Sequence, residues 1–466
     1  MRTLQVMTTT DTPLPVRTVA RYAIGSLGTG GFATLPGLVL IYYMTDTLGI
    51  AAITAGLLVT LAKVWDVVID PVIGARSDHS LAVTGSRRRF MLLGGMLLPL
   101  FFILTFAVPS GMGPGFAGLW VLVAFMATAT AFSLFQVPYI ALPAELTSSY
   151  DQRTRLLSVR VVVLSVAILL FGAGGPALRS LGGDNESLGY LIMALVAGLL
   201  IGAAMMVTSG VAERGVPRPA VPGSIASNYK DGLGALKRSP AFRILLLCFA
   251  LQGLATGVML AGAQYVATWV LHSESAVTFL FIALIGPALL FAPVWRIVAG
   301  RIGKERAFRY ASIMFGIAAL ALVGMLGAPG DWIYLPVALA GAGYAGMQSL
   351  PMSMLPDVIS HDAKTYGEGS AGIFGGVWTA GETTGMALGA TVLTLVLAAS
   401  GYVQSVAGET LTQGPAAISG IILSFSLVPA VLIAVSLLVF RRYPLRQHDI
   451  DAGPNNAAAS RSEGAP

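Results

Sequence analysis

The chain has 466 residues, 55% of them hydrophobic and only 11% charged, with a mean hydropathy of +0.78. A soluble domain carries roughly a quarter charged residues, so this composition excludes a water-soluble enzyme or binding module and describes an integral membrane protein. The net charge of +6 predicts no nucleic-acid partner, because the basic residues alternate with the membrane spans.

The first residues, MRTLQVMTTTDTPLPVRT, are polar and lack a small-residue cleavage site after an apolar run. The expectation is no cleavable signal peptide and a retained first span. Apolar runs near the ~20 residues needed to cross the hydrocarbon core fall at about 18–44, 50–75, 89–108, 115–142, 157–178, 188–210, 241–270, 276–300, 307–328, 332–357, 369–399 and 416–440. Each is expected to be a helix, since lipid offers the backbone no hydrogen-bonding partner. The predicted fold class is therefore an all-α membrane protein with twelve transmembrane helices. The longest polar interruption, AERGVPRPAVPGSIASNYKDGLGALKRSP, separates spans six and seven and divides the chain six plus six.

Orientation follows from the basic residues. One set of connections holds Arg76, Arg87, Arg88 and Arg89; Arg153 and Arg155; Arg214, Arg218, Lys230, Lys237 and Arg238; Arg301, Lys304, Arg306 and Arg309; Lys364; and Arg441, Arg442 and Arg446 follow the last span. The alternate connections hold Asp46, Asp184, Glu186, His272, Glu274, Asp331 and Glu409, with Arg179 as the basic exception. Both termini are thus expected in the cytoplasm, with the protein in the cell (inner) membrane.

The second span carries Lys63, Asp66 and Asp70 inside an apolar run. Charges at that depth cost a few kcal/mol each and default to a task. Asp66 and Asp70 are four apart, on one helical face, and Lys63 reaches the same face. Their oxygens suit a hard cation such as Na⁺, or the pair could share a proton. Lys63 would neutralise part of that charge when the cation is absent. An ion pair that only fixes helix packing would leave the same residues.

The span continues as Asp70-Pro71-Val-Ile-Gly74-Ala-Arg76-Ser77-Asp78, then Gly85-Ser-Arg87-Arg88-Arg89-Phe90. Two further blocks follow: Gln136-Val-Pro138-Tyr139-Ile-Ala-Leu142-Pro-Ala-Glu145 with Asp151-Gln-Arg153-Thr-Arg155 and Arg160; and Asp357 with Gly367-Glu368-Gly369, Gly375-Gly376-Val-Trp378 and Gly385-Met-Ala387-Leu-Gly389. Together they resemble one branch of the major facilitator superfamily, the glycoside–pentoside–hexuronide:cation symporters. The resemblance covers essentially all twelve spans. It implies two pseudo-symmetric six-helix bundles: an N-terminal bundle over 1–210, a cytoplasmic linker over 211–240, a C-terminal bundle over 241–443 and a disordered cytoplasmic tail over 444–466.

The resemblance also implies roles. Asp66 and Asp70 match the family's cation-site carboxylates, which would hold Na⁺ if Na⁺ is the coupling ion, and Lys63 matches a basic position on the same helix. Arg160 matches an arginine at the sugar site. The departures are a sugar-binding acid on the first helix that falls at Gly30, an acid on the fourth that falls at Gln136, tryptophans that fall at Ile140 and near Gln348, and a lysine on the eleventh that falls at Thr383. Gln136 and Gln348 can still bond hydroxyls. Glu382, with Thr379 and Thr383 beside it, could restore the missing carboxylate, and Trp378 could face the cavity. Asp78, Arg87, Arg88, Glu145, Arg153 and Asp357 would form gating pairs that hold the cytoplasmic side closed.

Other chemistries have no signal. There is no G-x-x-x-x-G-K-[ST] phosphate loop, so ATP is not the expected driver. The one cysteine, Cys248, makes no internal disulfide, and the four histidines lack metal-ligand spacing. The expected partners are a small-molecule substrate and the bilayer, with no cofactor beyond the coupling ion. The expected function is Na⁺- or H⁺-coupled symport of a small organic solute, a sugar or glycoside. The alternatives are cation-coupled transport of a lysophospholipid or other amphiphile, and proton-driven export.

Overall fold

The computed structural model describes residues 14–147, 150–212, 234, 236–273, 275–366, 371–408 and 411–445. Most of the 211–240 linker and of the 444–466 tail, with Glu274, Glu409 and Gly367–Glu368, lies outside the described residues, as do the side chains of Arg153, Thr379, Glu382 and Thr383.

The described chain is helical: α1 (Val16–Tyr42), α2 (Ala52–Thr84), α3 (Arg88–Phe106), α4 (Pro114–Leu146), α5 (Tyr150–Arg179), α6 (Glu186–Ser209), α7 (Pro240–Tyr265), α8 (Ala276–Ile302), α9 (Lys304–Ala321), α10 (Tyr334–Tyr366), α11 (Ala371–Ala399), α12 (Pro415–Phe425) and α13 (Leu427–Phe440). Among the described residues ten helical stretches are long and apolar enough to cross a membrane; one of them joins α12 and α13 as Pro415–Phe440. The apolar runs at 332–357 and 369–399 fall on α10 and α11.

Local sequence sets several boundaries. Pro114, Pro240 and Pro415 open their helices at a position whose N–H would have no partner anyway. Ser239 caps α7 by accepting from Phe242 N–H. α2 ends where Gly85 adopts φ 68 and donates its N–H to Leu81 O. That end corrects the expected one. The second helix does not stop near residue 75 but runs nine residues further, so Asp78 is presented from the helix rather than from a loop. The segment after Pro71 stays helical because no residue before Gly85 supplies a left-handed stop.

The helices before residue 210 pack chiefly on one another, through α1 with α5 and α6 and through α3 with α4 and α6; the later ones do the same, through α7 with α11 and α13 and through α10 with α8 and α9. Small residues allow the close pairs, as is usual where lipid removes any hydrophobic drive between helices. Gly94 faces Ala131 O and Phe135 across α3 and α4, and Gly343 faces Ala311 O and Phe315 across α10 and α9. Gly385 and Gly389 of α11 lie against the backbone of Ala250 and Gly257 on α7.

A second correspondence was not read from the sequence. After α1 the chain loosens into a wider π-helical turn over Tyr43–Thr47, and after α7 it does so again over Val266–Val270. The sequences align as Tyr42-x-x-Thr45-Asp46-x-Leu48-Gly49 and Tyr265-x-x-Thr268-Trp269-x-Leu271-His272. Leu48 N–H donates to Tyr43 O and Leu271 N–H to Val266 O, and the turns close with positive φ at Gly49 (66°) and His272 (50°).

The hydrogen bonds joining α1–α6 to the later helices gather at the end where these two turns lie. Thr60 meets Thr391 at 2.6 Å, Thr278 donates to Ala173 O at 3.0 Å, and Ser405 and Ala407 N–H donate to Thr45 O and Thr47 O at 3.0 and 3.1 Å.

Candidate transport site

α2 brings Lys63, Asp66 and Asp70 to successive turns of one face. Lys63 Nζ donates to Asp66 Oδ2 at 3.1 Å, with the Asp66 side chain 15% exposed. The other oxygen, Asp66 Oδ1, is buried and has no hydrogen-bond partner, and the same holds for Asp70 Oδ1. Ser133 of α4 lies beside Asp70. Trp65 Nε1 donates to Thr130 Oγ1 at 2.8 Å and fixes the rotation of α2 against α4. Two half-buried carboxylates, each with one buried and unbonded oxygen, are ligands of the kind Na⁺ or a proton requires. No group of three or more His, Cys, Asp or Glu that could hold a metal occurs among the described residues, so a cation here would complete its shell with neutral oxygens such as the Ser133 hydroxyl or water.

The arginine of α5 stands at a second polar cluster. Arg160 lies over the Tyr139 ring at 5.2 Å, and its Nε is buried without a partner. Tyr139 of α4 is held by Ser26 at 3.0 Å and by donation to Tyr22 O at 3.0 Å, and it stacks on Tyr22 at 4.7 Å. Gln136 Oε1, one turn before Tyr139, accepts from Thr29 Oγ1 of α1 at 2.8 Å. Arg160, Tyr139 and Gln136 are thus gathered by α1, α4 and α5, with no carboxylate paired to Arg160 among the described residues.

In the later helices, Gln348 Nε2 donates to the Tyr344 hydroxyl at 2.9 Å, and both line a small cavity with Phe249, Gln252, Thr256 and Met386. Trp378 does not face that cavity. Its indole is 2% exposed and stacks at 4.4 Å on Phe249, one layer behind the cavity wall. The reason is packing: Phe242, Phe249 and Phe374 provide an apolar slot for the ring. Trp378 Nε1 finds no partner there. The side chains of Thr379, Glu382 and Thr383 lie outside the described residues, so the structure does not place them relative to Arg160.

The residues expected at the gate form pairs within each half. Arg87 Nη2 reaches Asp78 Oδ1 at 2.5 Å, Nε reaches Glu145 Oε1 at 2.6 Å, and Nη1 donates to Ser77 Oγ at 2.7 Å. This ties the end of α2 and the end of α4 to the start of α3. Lys304 Nζ reaches Asp357 Oδ2 at 2.5 Å and Ser353 O at 3.0 Å, tying α9 to α10 in the same manner. Arg88 is exposed and in no ion pair among the described residues, and the side chain of Arg153 lies outside them. In this conformation the pairs staple neighbouring helices rather than bridging the early helices to the late ones.

Sequence reasoning missed Asp46, which it placed in a connection. The residue is 4% exposed in the π-helical turn after α1. Thr45 Oγ1 donates to Asp46 Oδ2 at 2.5 Å, Trp269 Nε1 donates to Oδ1 at 3.3 Å, and the Tyr402 hydroxyl also donates to Oδ1. The signal that could have found it is the Tyr-x-x-Thr repeat, which places Asp46 and Trp269 at equivalent positions.

Comparison with known proteins bears on the whole chain. The profile of the family described as MFS/sugar transport protein matches residues 21–447. The chain belongs to this family. It is a transporter rather than an enzyme, and its likeness to glycoside–cation symporters holds beyond the motif blocks. The glucuronide carrier protein homolog of Escherichia coli is 24% identical over 441 residues, covering 92% of each chain. The sodium-dependent lysophosphatidylcholine symporter 1 of Mus musculus is 23% identical over 461 residues, covering 91% of this chain and 84% of its own. The crystal structure of the nucleoside transporter NupG superposes with a TM-score of 0.63 at 13% identity, covering 91% of this chain and 99% of that one. That last likeness concerns the fold alone. The family member described here is an integral multi-pass membrane protein.

Proposed function

We propose that the protein is a secondary transporter of twelve spans in two pseudo-symmetric six-helix bundles, coupling Na⁺ or H⁺ to symport of a small organic solute by alternating access. The observation that carries this reading is the pair of half-buried carboxylates one turn apart on α2, each with a buried oxygen that no group among the described residues bonds. Cation binding there would favour the substrate-ready state. Such coupling is a difference in binding free energy between states, typically about 1–3 kcal/mol, and acts reciprocally. The membrane potential would add about 2.3 kcal/mol per charge per 100 mV.

With both termini cytoplasmic in the inner membrane, the end where the bonds between halves gather is the extracytoplasmic one, and this conformation is closed to the outside. The substrate site is formed by Arg160, Gln136 and Tyr139, with Gln348 contributed by the later helices. An Arg160 without a paired carboxylate among the described residues favours a solute that brings its own negative charge. A hexuronide or other sugar acid fits that chemistry, as the name of the Escherichia coli relative suggests. A lysophospholipid is the second reading. One observation favours it: where the symporter pattern expects an acid, Gln136 is neutral and already bonded to Thr29, while Arg160 remains to meet a phosphate headgroup.

Purified protein in vesicles tests both. Na⁺ and proton gradients imposed separately, with labelled glucuronides, neutral glycosides and lysophosphatidylcholine as solutes, should give gradient-dependent uptake of one class. Uptake that ignores both gradients would remove the coupling assignment.

A further inference from the structure

Resting on the alternating-access reading, we propose that Asp46 is the latch of the extracytoplasmic gate: its carboxylate closes the transporter by gathering hydrogen-bond donors from both halves of the molecule. Asp46 belongs to the turn after α1. Trp269 belongs to the matching turn after α7, and Tyr402 to the segment after α11. The two later residues both donate to Asp46 Oδ1, while Oδ2 takes the hydroxyl of Thr45. Thr45 Oγ1 itself contacts the Tyr265 hydroxyl at 2.6 Å, and Ser405 Oγ donates to Asp46 O at 3.3 Å. The backbone adds Ser405 and Ala407 N–H to Thr45 and Thr47 O. Asp46 and its neighbours Thr45 and Thr47 thus hold two separate chain segments of the C-terminal half, the turn after α7 and the segment after α11.

The chemistry makes this contact a gate rather than filler. A carboxylate buried at 4% exposure is tolerated only while hydrogen bonds replace its hydration. Here the three described donors that reach it are neutral, and two of them come from the other half. Separating the halves strips those two and must hand the carboxylate to water. Closed and open states are then both acceptable and nothing between them is, which is what a two-state element needs. The rings around it supply the seal. Tyr265 packs edge-on against Tyr42 at 5.1 Å and against Tyr402 at 5.4 Å, and Trp269 against Tyr402 at 6.3 Å.

The test needs neither substrate nor coupling ion. The single native cysteine, Cys248, is replaced by alanine, and a reporter is placed by Ala267→Cys, a fully buried position in the second turn. Labelling by a membrane-impermeant maleimide is followed in right-side-out vesicles. Adding Asp46→Ala, which removes the acceptor of both bonds from the other half, should raise the labelling rate at least ten-fold. Tyr402→Phe should raise it less, and serves in place of Asp46→Ala should that variant not accumulate. A second reporter, Met354→Cys, buried near the other end of α10, should show no such rise. Unchanged labelling at position 267 overturns the proposal, and so does an equal rise at both reporters, which would mean general loosening. If the latch behaves as stated but no solute is ever driven by a gradient, the coupling assignment fails and the gate stands.

Discussion

Lys63 Nζ sits 3.1 Å from Asp66 Oδ2 and leaves Asp66 Oδ1 buried without a partner. A pair made only for packing would satisfy both oxygens, since each buried unpartnered polar atom costs about 1–3 kcal/mol. Neutralising either acid should therefore cost coupling and spare folding. Asp66→Asn and Asp70→Asn are expected to lose gradient-driven uptake by at least ten-fold while keeping their detergent melting temperature. Wild-type uptake in either variant would remove the pair from the coupling site.

Arg160 is the second test. Its Nε is buried and unpartnered, and its guanidinium lies against Tyr139. Arg160→Ala should weaken binding of an anionic solute by ten-fold or more, read by calorimetry on purified protein. Arg160→Lys should recover only part, because an ammonium lacks the planar fork that holds a carboxylate or phosphate through two bonds. Equal affinity in Arg160→Ala would move the site elsewhere.

Arg87 serves Asp78, Glu145 and Ser77 at once. Arg87→Ala leaves Glu145 partly buried without its cation, at a cost of about 1–3 kcal/mol. A lower melting temperature is expected, with a smaller drop for Asp78→Asn, whose side chain is 60% exposed and well solvated in either case. The reverse ranking would show that the α2–α4 staple does not run through Glu145.

Gly389 faces the backbone of Gly257 and Val258 across α7 and α11. Backbone cannot swing aside as a flexible side chain can, so Gly389→Leu should force the two helices apart and sharply lower thermal stability. Gly174, whose added Cβ would meet nothing within 4 Å, supplies the control: Gly174→Ala should melt like wild type.

Membrane residence, the helical class and the α2 carboxylates were legible because they depend on local composition and spacing, and the family because its motif blocks are short stretches of sequence. A run of apolar residues must be helical in lipid whatever surrounds it, and two acids four apart share a face in any helix. Arg160 and Gln136 were named from motif matches. That Tyr139 would carry the guanidinium and Thr29 the amide depends on how α1, α4 and α5 lie together, which no spacing records.

Asp46 marks the boundary most clearly. In the sequence it is an acid just past an apolar run, indistinguishable from the solvated charges of a connection. Its burial is decided by Trp269 and Tyr402, hundreds of residues away, which reach it only once the chain has folded. Composition, span length and charge order by themselves determined a helical membrane protein with an acidic pair in its second crossing, and the motif blocks added the resemblance to a transporter family. The tertiary structure alone decided which charges are paired, which oxygens stay open and where the early helices bond to the late ones. The physical reason is that burial and hydrogen-bond partners belong to the packing of distant segments, whereas helix formation in lipid belongs to each segment alone.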